Sequence, residues 1–135
     1  DNNNNLRRDK AYYYKKRLKE YNLILPNPIS DEDHVYHLYV VLSSQRDKLR
    51  LYLDNMNIQT SIHYPAFWDF EAFKNDCKRE EAPNVADICN RELTLPLYPT
   101  MTEDEVHQVS KNLPFPILLI LLLLLNFRDL SVLIY

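Results

Sequence analysis

The most suggestive polar pair in the sequence is His63 and Tyr64, which stand directly before Pro65. The residues from Ile58 onward alternate well enough to predict a strand that the proline ends. Ligands commonly meet a sheet where its strands end, so this pair could present two hydrogen-bonding groups to a cleft. Taken alone, however, the pair is explained more simply by an ordinary strand end with a half-buried histidine and an exposed tyrosine.

The other groups that could carry chemistry have simpler explanations. His34 and His37 are three residues apart on a predicted strand and would point to opposite faces, which makes them poor joint metal ligands. A lysine that forms a Schiff base needs a desolvated pocket that lowers its pKa. We therefore predict no catalytic, cofactor-binding or metal-binding residue in this chain. The lysines lie instead on predicted polar helix faces: Lys10, Lys15, Lys16, Lys19, Lys48, Lys74, Lys78 and Lys111.

The composition is typical of a soluble protein and excludes several kinds of site. The chain has 135 residues and a net charge of -3, which suits one domain and gives no basic excess for nucleic acid. It contains no glycine, which excludes glycine-rich phosphate-binding loops. For Cys77 and Cys89 we expect free thiols in a reducing compartment, with a disulfide as the alternative. The polar start differs from a secretory signal, and we predict a cytoplasmic protein.

The clearest local signal in the sequence is the start of a helix at Thr102. Thr102 and Glu105 match a capping box, in which each side chain accepts a hydrogen bond from the backbone N–H of the other residue. The carboxylates of Glu103 and Asp104 also suit the positive end of a helix dipole. We therefore predict a helix that begins after Thr102 and ends near Leu113.

Helices and short strands alternate along the predicted chain. This order favours an α+β fold, in which a small, mostly antiparallel sheet of about three strands carries helices packed on it. Ala11, Tyr14, Leu18 and Tyr21 have the spacing of a buried helix face. Asn57 follows a helix where a left-handed residue is favoured. The predicted elements are helices over 6–21, 45–55, 84–91 and 103–113, strands over 35–42, 58–64 and 93–97, and a loop with a short helix over 67–78.

Six short segments between about Leu6 and Leu113 match a known pattern when they are taken in order. The segments are Arg7-Arg8 with Ala11 and Tyr14, VYHLYVV from Val35, RDKL from Arg46, IQTSIHYP from Ile58, LTLPLYP from Leu93 and MTEDEV from Met101. In this order and spacing they resemble the C-terminal part of the DegT/DnrJ/EryC1/StrS sugar aminotransferases.

The resemblance implies a fold type I aminotransferase that acts as a homodimer. Such an enzyme transfers an amino group, usually from glutamate, onto a keto sugar attached to a nucleoside diphosphate, and its large domain binds pyridoxal phosphate. The expected division is a joining helix over 1–22, the small domain over 23–113 and an apolar tail over 114–135 outside the match. The chain alone is then expected to be inactive and to lack the cofactor-binding residues.

The resemblance also implies a substrate-side role for His63 and Tyr64. The segment departs from the family pattern at Ala66 and Trp68, where a second proline and a histidine are common, and Asn57 replaces a usual glycine. Two alternatives stay open: a fragment of a family dehydratase, or a non-enzymatic α+β module that its tail attaches to a membrane.

The tail is too short to make membrane attachment the favoured interpretation. The unbroken apolar run covers only residues 117–125, whereas a spanning helix needs about 20 apolar residues. Arg128 and Asp129 would lie inside any longer span. We predict that the tail is an extension outside the catalytic domain and that its removal leaves the fold unchanged.

Overall fold

The protein consists of helices packed on a small antiparallel sheet. The structure, a computed structural model, describes residues 2–73, 76 and 82–113. The α+β fold is confirmed. The predicted tail over 114–135, Cys77, and the end of the short helix predicted through Lys78 lie outside the described residues. The elements are α1 (Asn2–Leu18), β1 (Tyr39–Leu42), α2 (Arg46–Asn55), a 3-10 turn (Phe67–Asp69), α3 (Pro83–Arg91), β2 (Glu92–Leu95) and α4 (Glu103–Asn112).

The sheet is smaller than the sequence predicts. Strands β1 and β2 pair antiparallel with Tyr39 opposite Leu95, and single bridges add Ile24 on one side and Ser61 on the other. The full strand predicted over 58–64 is wrong, because only Ser61 pairs, through N–H···O bonds of 3.2 and 2.8 Å with Thr94. Strand β2 is four residues long and is followed by a proline without an N–H, so it offers little ladder to a third strand.

The strand predicted from Val35 begins four residues later than expected. Tyr36 has a φ of 46°, a left-handed conformation that interrupts an extended chain. At the end of α2, Asn57 has a φ of 59°, as its position after a helix predicted. In this chain without glycine, asparagine therefore adopts the left-handed conformation at the end of α2, and Tyr36 adopts it before β1.

The hydrophobic core lies on one face of the sheet. Tyr39 and Val41 of β1 stand opposite Leu95 and Leu93 of β2, and all four side chains are buried. The predicted inner face of α1 is confirmed at Ala11, Tyr14 and Leu18, but the helix ends at Leu18 and Tyr21 lies beyond it, only partly buried. The hydroxyl of Tyr14 donates to the carbonyl oxygen of Pro96 at 2.8 Å. The helices complete the same core through Ala11, Tyr14, Leu18, Leu49, Leu53, Val106 and Val109.

The capping box at α4 forms as predicted. The backbone N–H of Thr102 donates to Glu105 Oε2 at 2.6 Å, and the N–H of Glu105 donates to Thr102 Oγ1 at 3.2 Å. These bonds hold the start of a helix whose Val106 and Val109 are buried. Among the described residues, no helix is both long and apolar enough to cross a membrane.

Candidate functional site

The second face of β2 is polar and yet buried. Because alternate residues of a strand share a face, Glu92 and Thr94 lie opposite the core-facing Leu93 and Leu95. Glu92 is 3% exposed and Thr94 is 5% exposed. Burying polar side chains is unfavourable unless they form hydrogen bonds, so the residues that contact Glu92 and Thr94 indicate the role of this face.

The partner of this face is His63. Its Nδ1 atom lies 3.0 Å from Thr94 Oγ1 and 3.3 Å from Ser61 Oγ. Strand β2 therefore holds the ring of the histidine that the sequence singles out, and the carboxyl group of Glu92 lies near enough to His63 for the two to interact electrostatically. Within the described residues the hydrogen bonds of the ring are made at Nδ1, which leaves Nε2 for a ligand.

The buried carboxyl group of Glu92 is held at an electrostatic cost. Burial raises the pKa of Glu92, while the nearby backbone N–H group of His63 and the charges of His63 and Arg46 act to lower it. One oxygen, Oε1, is buried and accepts no hydrogen bond from the described residues. On burial the carboxylate therefore loses hydrogen bonds to water, and the described residues replace them only in part.

Arg46 fixes the beginning of β2 from the first turn of α2. Its Nη1 donates to the carbonyl oxygens of Cys89 and Glu92 at 3.3 and 3.4 Å. These bonds cross from α2 to the end of α3 and to the start of the strand. The guanidinium group thereby anchors the backbone that carries Glu92.

Tyr64 is placed beside His63 but projects outward. Its side chain is 71% exposed, and its ring meets the His63 ring edge-on with centroids 5.3 Å apart. The peptide bond between the two residues is cis. The Sγ atom of Cys89, a free thiol, lies 3.8 Å from the Tyr64 carbonyl oxygen. The structure thus brings together the two predicted residues as a half-buried histidine next to an exposed tyrosine.

Glu92, Thr94 and Ser61 are the site residues that sequence reasoning missed. The signal was present, because Glu92 and Thr94 alternate with leucines in a segment predicted in part as a strand. What the sequence could not show is that the polar side of this strand is covered. Elsewhere in the described part of the chain, no group of three or more histidine, cysteine or acidic side chains could hold a metal ion.

A family model decides the relationship. The model of the DegT/DnrJ/EryC1/StrS aminotransferase family matches residues 1–114. The chain belongs to this family. The resemblance seen in the six sequence segments is thereby confirmed.

Characterised relatives in this family act on nucleotide-linked sugars. The chain is 35% identical over 109 residues to the dTDP-3-amino-3,6-dideoxy-alpha-D-galactopyranose transaminase of Aneurinibacillus thermoaerophilus, covering 81% of the chain and 30% of the relative. It is 32% identical over 110 residues to the dTDP-4-dehydro-2,3,6-trideoxy-D-glucose 4-aminotransferase of Saccharopolyspora spinosa, covering 78% and 28%. The chain thus spans less than a third of the length of these relatives.

Solved structures of aminotransferases share the fold. DesV of S. venezuelae, in complex with a ketimine intermediate, aligns with a TM-score of 0.76 and 28% identity over 82% of this chain and 30% of that one. NtdA of Bacillus subtilis, with bound cofactor PMP, aligns with a TM-score of 0.70 and 26% identity over 82% and 27%. The α+β architecture predicted from the sequence is therefore that of a part of known aminotransferases.

The described lysines do not fit a site for the pyridoxal phosphate that the family uses. A lysine that forms an imine with the cofactor is held in a desolvated pocket. We therefore assign no step of cofactor chemistry to the described lysines. None of them is buried: Lys10, Lys15, Lys16, Lys19, Lys48 and Lys111.

Proposed function

We propose that this chain is the small, C-terminal domain of a pyridoxal-phosphate-dependent aminotransferase. The intact enzyme, meaning this chain joined to a preceding large domain, would transfer an amino group from glutamate to a nucleoside-diphosphate keto sugar. The family match over residues 1–114 and the names of the relatives support this function. We place the enzyme in the cytoplasm as a homodimer, with a joining helix over 1–22, the small domain over 23–113 and the tail over 114–135 outside it.

The observation that carries the proposal is the way β2 holds His63. A ring held at Nδ1 by Thr94 and Ser61 leaves Nε2 for a ligand. We assign this nitrogen to a hydrogen bond with the sugar or its phosphates, and the exposed Tyr64 to a neighbouring substrate contact. In this assignment His63 and Tyr64 act on the substrate side, and the cofactor is bound by the large domain.

The proposal predicts that the 135-residue chain alone is not a transaminase. A cofactor enzyme must bind and orient its cofactor, and the described lysines are too exposed for this task. Mixed with pyridoxal phosphate, the purified chain should show no defined internal-aldimine absorbance and no turnover of glutamate with a keto sugar nucleotide. A stoichiometric aldimine at a single lysine would contradict the proposal.

The coding sequence upstream of Asp1 distinguishes the proposed function from its alternatives. A large domain that carries a lysine at the cofactor position supports the aminotransferase. A different residue at that position would instead indicate the family dehydratase, and the absence of any large domain would indicate the non-enzymatic module.

A further inference from the structure

We propose that Thr94 is a positioning residue for His63, and that it fixes the ring as an Nε2–H donor toward the substrate. This inference rests on the proposed substrate-side role of His63. Thr94 would not touch the substrate itself, and would act through the ring of the histidine.

The first step is the shared face of β2. Glu92 and Thr94 are two residues apart on a short strand, and both are buried away from the hydrophobic core. A leucine or valine at these positions would bury more cheaply, because polar groups lose their hydration. The buried hydroxyl of Thr94 is explained if it holds a neighbouring side chain, and the ring of His63 is that neighbour.

The second step concerns the proton on the imidazole ring. In a neutral imidazole one nitrogen carries a hydrogen and the other accepts. Two hydroxyl groups converge on Nδ1, that of Thr94 at 3.0 Å and that of Ser61 at 3.3 Å. A hydroxyl can donate as well as accept, and in this proposal Nδ1 accepts from Thr94. The proton then lies on Nε2, since the bond at one ring nitrogen sets the state of the other.

The third step is the choice of ligand. A fixed N–H donor recognises an oxygen acceptor, and the substrates proposed here offer sugar hydroxyls, a carbonyl oxygen and diphosphate oxygens.

The test begins with 15N NMR of the His63 ring in the 135-residue chain. We expect an unprotonated, hydrogen-bonded Nδ1 and a protonated Nε2. Thr94→Val removes the hydroxyl with little change in shape, and it should move the Nδ1 resonance toward that of an imidazole without a hydrogen bond. Thr94→Ser should restore the shift. A protonated Nδ1 in the unchanged chain, or an Nδ1 shift unaffected by Thr94→Val, would overturn the inference.

The second arm uses the intact enzyme. Thr94→Val should lower kcat/KM for the sugar nucleotide by about fivefold, the equivalent of one ordinary hydrogen bond, and Thr94→Ser should recover most of it. An altered Nδ1 shift with unchanged kcat/KM would show that the positioning does not serve the substrate. If His63→Ala itself leaves kcat/KM unchanged, the proposed role of His63 fails whatever the NMR result, so the two failures are distinguishable.

Discussion

The N-terminus of α4 and the polar face of β2 use the same two residue types in opposite ways. At α4, Thr102 and Glu105 satisfy each other at an exposed helix end, and the hydrogen bonds from Thr102 lower the pKa of Glu105. On β2, burial raises the pKa of Glu92, and the hydroxyl of Thr94 contacts the ring of His63. The first pair stabilises the fold locally. The second pair is buried at a cost in stability, and in our proposal its Thr94 orients His63.

The two regions differ in how completely their polar groups are hydrogen-bonded, and therefore in whether they stabilise or destabilise the fold. A capping box is complete within four residues and needs no tertiary partner. The face of β2 instead leaves Oε1 of Glu92 without a hydrogen bond from the described residues, although the group is buried. Natural proteins tend to break local rules at functional sites. The contrast therefore supports the choice of the β2 face, and not the acidic start of α4, as the site.

The largest expected effect comes from the opposite, apolar face of the same strand. Leu93 is fully buried in the core, so Leu93→Ala should lower the free energy of unfolding by about 2–5 kcal/mol. The neighbouring Thr94→Val should cost only about 1 kcal/mol, because it removes one hydrogen bond and keeps the volume. Urea unfolding of both variants measures this. Equal losses would show that the two faces of β2 do not differ as described.

A smaller loss is expected at the α4 cap. Thr102→Ala removes the acceptor for the Glu105 N–H and should cost about 1 kcal/mol. Because the folded-state pKa of Glu105 is lowered, its contribution is present above the ordinary glutamate pKa and is lost as the pH falls through the lowered value. The variant should therefore lose less stability on acidification than the parent does. Thermal melts from pH 3 to pH 7 provide the comparison, and parallel curves for the two proteins would count against this role of the cap.

The smallest effect, and the one opposite in sign, is expected at Glu92. Its folded-state pKa is raised, so its contribution is favourable below the ordinary glutamate pKa, about 4.3, and is lost as the pH rises through the raised value. Glu92→Gln keeps the size and shape of the side chain and does not titrate. It should match the parent near pH 4 and melt slightly higher at pH 7. A lower melting temperature at pH 7 would mean that the carboxylate is stabilising and that its cost is misjudged.

Local signals predicted the fold well wherever one stretch of chain decides the structure. The cap at Thr102, the left-handed Asn57 and the buried face of α1 at Ala11, Tyr14 and Leu18 all follow from spacing and backbone preference. Tertiary effects decided the rest. The strand predicted from Ile58 reduces to one bridge at Ser61, because pairing depends on how much of β2 is available.

The candidate site was predicted only in part for the same reason. His63 and Tyr64 stand out in the sequence because a proline follows them. Glu92 and Thr94 lie about thirty residues further along and reach His63 only through the folded sheet. No periodicity in one sequence indicates that the polar side of a strand is covered. The sequence therefore singles out the two residues that we propose contact substrate, and it does not single out Thr94, which we propose positions His63.

The most direct test of the account is His63→Ala in the intact enzyme, with His37→Ala, an exposed residue before β1, as the matched control. We predict that His63→Ala lowers kcat/KM for the sugar nucleotide by about tenfold or more, because it removes a hydrogen bond to a charged group. The cofactor absorbance of this variant and the kcat/KM of His37→Ala should stay unchanged. Unchanged kcat/KM in His63→Ala, or loss of cofactor with normal kinetics per bound cofactor, would contradict the substrate-side role of this face.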